Sequence, residues 1–400
     1  MSRPPLEVAD IFRARGAEYR RAHRGHLSLG QLKALSAIER CRTAELGGHK
    51  LHCERCDTDA LAYNSCRNRH CPKCQASAAE RWLQASKANI LPVPYFHVVF
   101  TLPEELRSIA YQNKALVYDL LFKVASRTLL TIAGDKKHLG AEVGITAVLH
   151  TWGSSLVHHP HLHCIVTGGG LSDNGERWIA SRPNFLVPVK VLGRLFRRYF
   201  LEALLKAHEK GRLTFFAKLE HLNEANHFAA YLAPLKKIDW IVYAKRPLAG
   251  PEAVLTYLSR YTHRIAISNR RLVTFDERGV RFRYKDYRRK KITPWTSMTL
   301  PTDEFLRRFL LHVLPSGFHR IRHYGLLANA KRKQQLKIAR KRLQCEPRVA
   351  TDTDTIEPDD GNAQDKPPAF TCRHCGEPMI VIEILRPRHQ ARAPPQRHAA

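Results

Sequence analysis

Residues 158–170 read His-His-Pro-His-Leu-His-Cys-Ile-Val-Thr-Gly-Gly-Gly. The apolar, β-branched run at the centre of this stretch predicts a strand. Residues two apart on a strand face the same side. His161 and His163 therefore project together, Leu162 turns into a core, and Cys164 reads as a small buried residue. Two imidazoles fixed side by side on a rigid strand are placed to hold a divalent ion. In a chain with 22 histidines a His-x-His pair also arises by chance, so its weight depends on its surroundings.

Working outward, residues 144–152 form a second apolar run. A Gly-Ser-Ser bend separates it from the His-x-His strand, which predicts adjacent antiparallel strands. The three glycines 168–170 are expected to end the second of them. Residues 95–103 (YFHVVFTLP) read as another strand, and residues 104–132 as one long helix with an acidic first turn. Residues 188–210, 251–265 and 302–313 read as helices, 240–244 as a short strand, and 271–275 with 280–284 as a hairpin. Strands and helices without a repeated βαβ period predict an α+β fold, its largely antiparallel sheet flanked by helices. There is no internal repeat.

The chain has 400 residues, with 66 Lys+Arg against 36 Asp+Glu, a formal charge of +30. That balance is foreign to an ordinary metabolic enzyme and points to a polyanionic partner, nucleic acid ahead of a membrane surface. At 44% hydrophobic residues the chain can bury a core. It has no apolar run long enough to span a membrane and no signal-peptide core, so a cytoplasmic protein is expected. In that compartment ten cysteines favour metal binding or burial over disulfides.

Six of those cysteines lie between Cys41 and Cys74, in the order Cys41-x7-His49-x3-Cys53-x2-Cys56-x9-Cys66-x3-His70-Cys71-x2-Cys74. A Cys-x2-Cys turn directs two sulfurs at one tetrahedral Zn²⁺. The spacing predicts two structural zinc ions, one held by Cys53, Cys56, Cys71 and Cys74, the other by Cys41, His49, Cys66 and His70. Buried or redox-active cysteines are the blander reading, and the density of the paired knuckles outweighs it. The later Cys372-x2-Cys375 is half a zinc ribbon, which His374 or the tail histidines could complete.

In TYLSRYTHR, Tyr257 and Tyr261 stand four apart on an expected helix, so both hydroxyls share a face. An isolated pair of this kind usually packs against a sheet. Here Arg260 and Arg264 share the helix, and that cationic setting suits a phosphate. A tyrosine oxygen can attack a DNA phosphodiester and form a phosphotyrosine, while an ion held by His161 and His163 offsets charge at the phosphate.

The motifs LGGHKLHC, SCRNRHCPKCQ, HVVFTLP, HPHLHCIVTGGGLS, YLSRYTHR and LPSGFHRIRHYGLLAN occur in this order between about residues 41 and 342. On them the chain resembles the HUH-type two-tyrosine transposases of rolling-circle insertion sequences. The resemblance implies an HUH nuclease core plus an N-terminal zinc-binding module, with His161 and His163 as metal ligands and Tyr257 and Tyr261 as nucleophiles. HUH cores usually add a third ligand to the two histidines. His159 and His97 rank equally for it, with His263 below them.

Two further segments are basic. Residues 320–342 carry nine Lys/Arg and no acid, and residues 281–291 carry seven Lys/Arg with interleaved aromatics. A charge run is usually a solvated face. Together with the lack of acids, Arg320, Arg322, Arg332 and Lys333 are expected to meet DNA phosphates.

The expected division is a helical and zinc-binding domain over 1–92 and an HUH nuclease domain over 93–345. An acidic flexible linker over 346–370 and a short CxxC segment with its tail over 371–400 complete it. The expected protein is a transposase that cleaves and rejoins single-stranded DNA at mobile-element ends. It would use structural Zn²⁺ and catalytic Mg²⁺ or Mn²⁺, form a covalent 5′-phosphotyrosine, and bind no membrane. No GxxxxGK[ST] phosphate loop is present, so unwinding would fall to a host helicase. The alternatives are a plasmid replication initiator or relaxase of the same chemistry, or a non-catalytic zinc-containing DNA-binding protein.

Overall fold

The computed structural model describes residues 5–87, 89–248, 253–254, 266–286, 295–345 and 370–387. The chain divides into two compact units, residues 1–76 with 355–400, and residues 77–354.

The first unit opens with helices α1 (Val8–Ala22) and α2 (Leu29–Arg40). Ser28 and Gln31 form a reciprocal capping box at the start of α2, in which the Gln31 amide donates to Ser28 Oγ at 3.3 Å. Ile11 and Phe12 of α1 and Leu35 and Ile38 of α2 are fully buried. Strands β1 (Gly48–Cys53) and β2 (Thr58–Tyr63) follow, and helix α3 (Pro72–Lys87) starts in this unit. Two C-terminal strands, β12 (Phe370–Thr371) and β13 (Pro378–Leu385), complete an antiparallel sheet of order β12-β13-β1-β2.

The second unit is built on β3 (Tyr95–Thr101), β4 (Glu142–Trp152), β5 (His158–Leu171), β7 (Val242–Leu248) and β11 (Ile321–Gly325). All pair antiparallel in the order β11-β4-β5-β3-β7, and β6 (Trp178–Ala180) adds to β5. The period-two pattern assigns each face. Phe96, Val98 and Phe100 of β3, Ile145, Ala147 and Leu149 of β4, and Leu162, Cys164 and Val166 of β5 share one core. That core is covered by α4 (Arg107–Gln112), α5 (Lys114–Gly134), α6 (Val189–Glu209) and α7 (Ala225–Leu232), through residues such as Ile109, Phe122, Phe196 and Phe228. Tyr95 and Ile165 on the opposite face join a second cluster with Val254, Leu326 and Leu336, the last on α9 (Arg332–Arg342). A separate three-stranded sheet, β8 (Leu272–Asp276), β9 (Gly279–Lys285) and β10 (Trp295–Leu300), packs Phe282 against Phe305 of α8 (Thr302–Leu311).

The α+β class with a largely antiparallel sheet is as the sequence implies. Two local expectations fail. The long helix over 104–132 is broken at Asn113, whose backbone leaves the helical region (φ −117°, ψ 43°). Its side chain accepts from the Thr214 amide and donates to the Thr214 carbonyl, both at 2.9 Å, so a tertiary contact compensates the lost helical turn. The three glycines also do not end β5. Val143 pairs with Gly170, and a Cβ on Gly170 would lie 2.2 Å from the Glu142 carbonyl oxygen, so glycine permits the close approach. Among the described residues no helix is long and apolar enough to cross a membrane.

Candidate functional site

Antiparallel register fixes the geometry at the centre of the larger sheet. His150 on β4 lies directly opposite His161 on β5, and Val148 opposite His163. All three histidines project from the face away from the helical core, and their ring nitrogens fall within 4.8 Å of one another. The His150 and His163 ring centroids are 4.3 Å apart, and those of His161 and His163 are 4.9 Å apart.

The surroundings orient these rings. His161 Nδ1 donates to the His159 carbonyl at 2.7 Å, which leaves the lone pair on Nε2. His163 Nδ1 lies 2.7 Å from Nε2 of His97, which stands on the neighbouring strand and is itself buried. The Trp152 ring stacks on His150 at 4.4 Å. Burial lowers His161 to about 4 and His97 to about 4, and drives His163 well below the ordinary histidine value. Imidazoles kept neutral at pH 7 are the form that ligates a metal. The donor set therefore fits a divalent ion.

Of the candidates for a third ligand, His97 sits behind His163 as a hydrogen-bond partner, and His159 supplies its carbonyl to His161. Neither joins the three-nitrogen group, which His150 completes instead. The sequence reading missed His150. The signal was available, since folding the two predicted strands about their bend puts residue 150 across from residue 161. Tyr243 and Lys245 of the edge strand β7 pair with Val99 and His97 of β3 and are exposed. Tyr257, Tyr261, Arg260, Arg264 and His263 lie outside the described residues. Val254, three positions before Tyr257, is buried in the cluster that contains Ile165, two residues along the same face from His163.

The cysteines regroup. Cys41, Cys66, Cys71 and Cys74 form one four-sulfur cluster, and Cys53, Cys56, Cys372 and Cys375 form a second. The Sγ–Sγ separations Cys41–Cys74, Cys66–Cys74, Cys53–Cys375 and Cys56–Cys372 are 3.6, 3.7, 3.5 and 3.4 Å. Zn–S bonds of about 2.3 Å at tetrahedral angles put sulfurs about 3.8 Å apart, so both clusters fit structural zinc and neither is a disulfide. Hydrogen bonds from Cys41, Cys66 and Cys71 hold the Cys74 thiol far below its ordinary value, the direction a metal thiolate needs.

This corrects the expected grouping of ligands. Cys53 ends β1 and Cys56 lies in the turn that follows, whereas Cys71 and Cys74 stand at the start of α3, and the fold directs the two knuckles to different partners. His49 packs against Phe370 with ring centroids 5.8 Å apart, and His70 Nδ1 bonds Asn68 Oδ1 at 3.1 Å. Neither histidine belongs to a cluster. Sequence spacing could not show that Cys372 and Cys375 take the places assigned to them.

The basic residues also separate. Arg322 pairs with Asp119 at 2.7 Å and lies over the Phe122 and Phe318 rings, and Arg320 is buried, so both serve packing within the unit. Lys73 is buried against Glu7 at 2.6 Å. Lys333 on α9 is exposed and Arg332 half-buried.

Residues 144–335 match the family described as "Putative transposase", and residues 11–102 match the family described as "Transposase zinc-binding domain". The chain is 59% identical over 339 residues, 84% of each chain, to the "Putative transposase y4qJ" of Sinorhizobium fredii. The chain belongs to this transposase family. It is also 27% identical, over 81% of its own length and 77% of the other's, to the transposase for insertion sequence element IS801 of Pseudomonas savastanoi pv. phaseolicola. No solved structure matches the chain. The transposase match spans His150, His161, His163, Tyr257 and Tyr261, and the zinc-binding match spans the six N-terminal cysteines but not Cys372 or Cys375. A transposase acts on DNA, which accounts for the +30 charge.

Proposed function

We propose that this transposase cleaves and rejoins single-stranded DNA at the ends of its element through a 5′-phosphotyrosine on Tyr257 or Tyr261. The observation that carries the reading is the convergence of His150, His161 and His163 on one sheet face. Val254, just before the two tyrosines in sequence, supports it by packing into the cluster on that face.

In this reading His150, His161 and His163 would hold a Mg²⁺ or Mn²⁺ ion, whose chemistry would be to polarise the scissile phosphate and offset the charge that develops there. The tyrosine oxygen bonds to phosphorus as the bond to the 3′ oxygen breaks. The tyrosine loses its proton, and the departing 3′ oxygen gains one. The phosphotyrosine conserves the phosphodiester for the reverse attack by a 3′-OH, which rejoins strands without an external energy source. A second tyrosine allows a second transfer while the first end is still attached. His97 and the His159 carbonyl fix the ring orientations of His163 and His161.

For DNA contact the reading draws on Tyr243 as a stacking surface and on Lys245, Arg332 and Lys333 as phosphate partners, together with Arg260 and Arg264, which neighbour the two tyrosines in sequence. Because no nucleotide-hydrolysing loop accompanies the nuclease, strand separation falls to a host helicase. The test is a cleavage assay on single-stranded element-end DNA with Mg²⁺ or Mn²⁺. His161→Ala with His163→Ala should abolish cleavage and leave DNA binding intact. Cleavage that survives the double substitution would contradict the reading.

A further inference from the structure

The C-terminal segment lacks what usually holds a segment in place. Among its described residues, 370–387, only Cys372 is buried. Its apolar side chains face outward, with Ile380, Val381, Ile382 and Ile384 between 43% and 72% exposed. The strand β13 pairs with β1 from Gly48↔Leu385 to His52↔Ile380, interrupted by a register shift at Lys50/Leu51. A strand added with so little burial is marginal by itself. The Arg55–Glu377 ion pair at 2.6 Å is exposed on both sides and contributes little.

Where the segment does lock in, two matching knuckles meet. Cys53 and Cys56 flank the turn between β1 and β2, and Cys372 and Cys375 flank the turn between β12 and β13. In the second turn the Gly376 amide donates to the Cys372 carbonyl at 3.0 Å, and the Cys372 amide donates to the Glu377 carbonyl at 2.7 Å. Gly376 takes φ +81°, which glycine adopts without strain. These turns bring the four sulfurs together, with separations of 3.5 and 3.4 Å across the two knuckles.

We propose that Cys53, Cys56, Cys372 and Cys375 bind a second zinc ion that anchors the C-terminal segment to the N-terminal module, which is therefore assembled from both ends of the chain. The site lies partly outside the region matched as a zinc-binding domain, which stops at residue 102. It does not depend on the nuclease reading. The module has its full set of ligands only once residue 375 has been made, so a chain ending before residue 370 keeps the Cys41, Cys66, Cys71 and Cys74 cluster and loses the other. The metal, rather than a hydrophobic core, supplies the free energy that orders the segment.

The experiment measures zinc per full-length chain by elemental analysis and follows alkylation of each cysteine by mass spectrometry. The expected result is two zinc ions per chain. Cys53, Cys56, Cys372 and Cys375 should be protected together and become reactive together on chelation, while Cys345 reacts from the start. Cys372→Ser with Cys375→Ser should lower the content to one zinc and expose Cys53 and Cys56, leaving Cys41, Cys66, Cys71 and Cys74 protected. Should that variant fail to fold, labelling of the unaltered chain decides. A content below two, Cys372 and Cys375 reacting as fast as Cys345 in the zinc-loaded protein, or a double variant that retains two zinc ions would overturn the proposal.

Discussion

His97 Nε2 lies 2.7 Å from His163 Nδ1, so a buried histidine on β3 fixes the ring of a histidine on β5. With Nδ1 of His163 engaged in this way, its Nε2 is the nitrogen available to a metal. Loss of such an orienting partner typically costs roughly 10–100-fold in metal affinity. His97→Ala should therefore raise the Mn²⁺ concentration needed for half-maximal cleavage by about that factor, with recovery at saturating metal. A rate that stays low at saturation would show His97 acting in some other way.

Strand register sets His150 opposite His161, which makes it the third ligand of the proposed metal set. His150→Ala should reduce cleavage roughly 100-fold or more while single-stranded DNA binding is retained, a loss at least as large as that from a missing orienting group. His159→Ala leaves the backbone carbonyl that His161 uses and should be far milder. A reversed order of the two variants would return the third-ligand role to His159.

Three imidazoles and no carboxylate make a nitrogen-rich set, and Mg²⁺ prefers oxygen. Mn²⁺ should saturate cleavage at a lower concentration than Mg²⁺. Equal half-saturation for the two ions would argue that the DNA or water, not the histidines, supplies most of the coordination.

The sequence made the sheet legible wherever apolar and polar residues alternate. Leu162 in and His161 and His163 out followed from a period of two, and the core confirms it at Cys164 and Val166. The failures have one physical origin, since each depends on a partner far along the chain. Asn113 breaks a helix because Thr214 is there to meet it. Gly170 prolongs a strand because the Glu142 carbonyl lies against it. Cys53 and Cys56 pair with residues 316 and more positions away, where local spacing carries no information.

Away from the three-histidine face, His312 is fully buried, with Nε2 donating to the Leu156 carbonyl at 3.1 Å and Nδ1 3.2 Å from Thr151 Oγ1. Burial lowers it to about 3, against 6.5 in the unfolded chain. Between those values the unfolded state takes a proton that the folded state refuses. The stability it contributes is full above pH 6.5 and is lost as pH falls toward 3, by roughly 1.4 kcal/mol for each pH unit. His312→Gln should give a shallower fall in thermal midpoint between pH 7 and pH 5. Parallel curves for the two proteins would exclude His312 as a source of the acid sensitivity.

Tyr243 is 53% exposed on the edge strand, across from Val99. A base stacked on an aromatic ring contributes about 1–3 kcal/mol. Tyr243→Ala should weaken single-stranded DNA binding by that amount with little change in its salt dependence, whereas Lys333→Ala should flatten the salt dependence. The opposite pattern in a salt titration would assign the two residues the reverse roles.

The transposase is proposed to join itself to DNA through Tyr257 or Tyr261. The direct measurement incubates the full-length protein with end-labelled single-stranded element-end DNA and Mn²⁺, then resolves protein from DNA under denaturing conditions. The account predicts a label that migrates with the protein, persists in each single Tyr→Phe variant, and disappears in Tyr257→Phe with Tyr261→Phe. An adduct of undiminished yield in that double variant would contradict it.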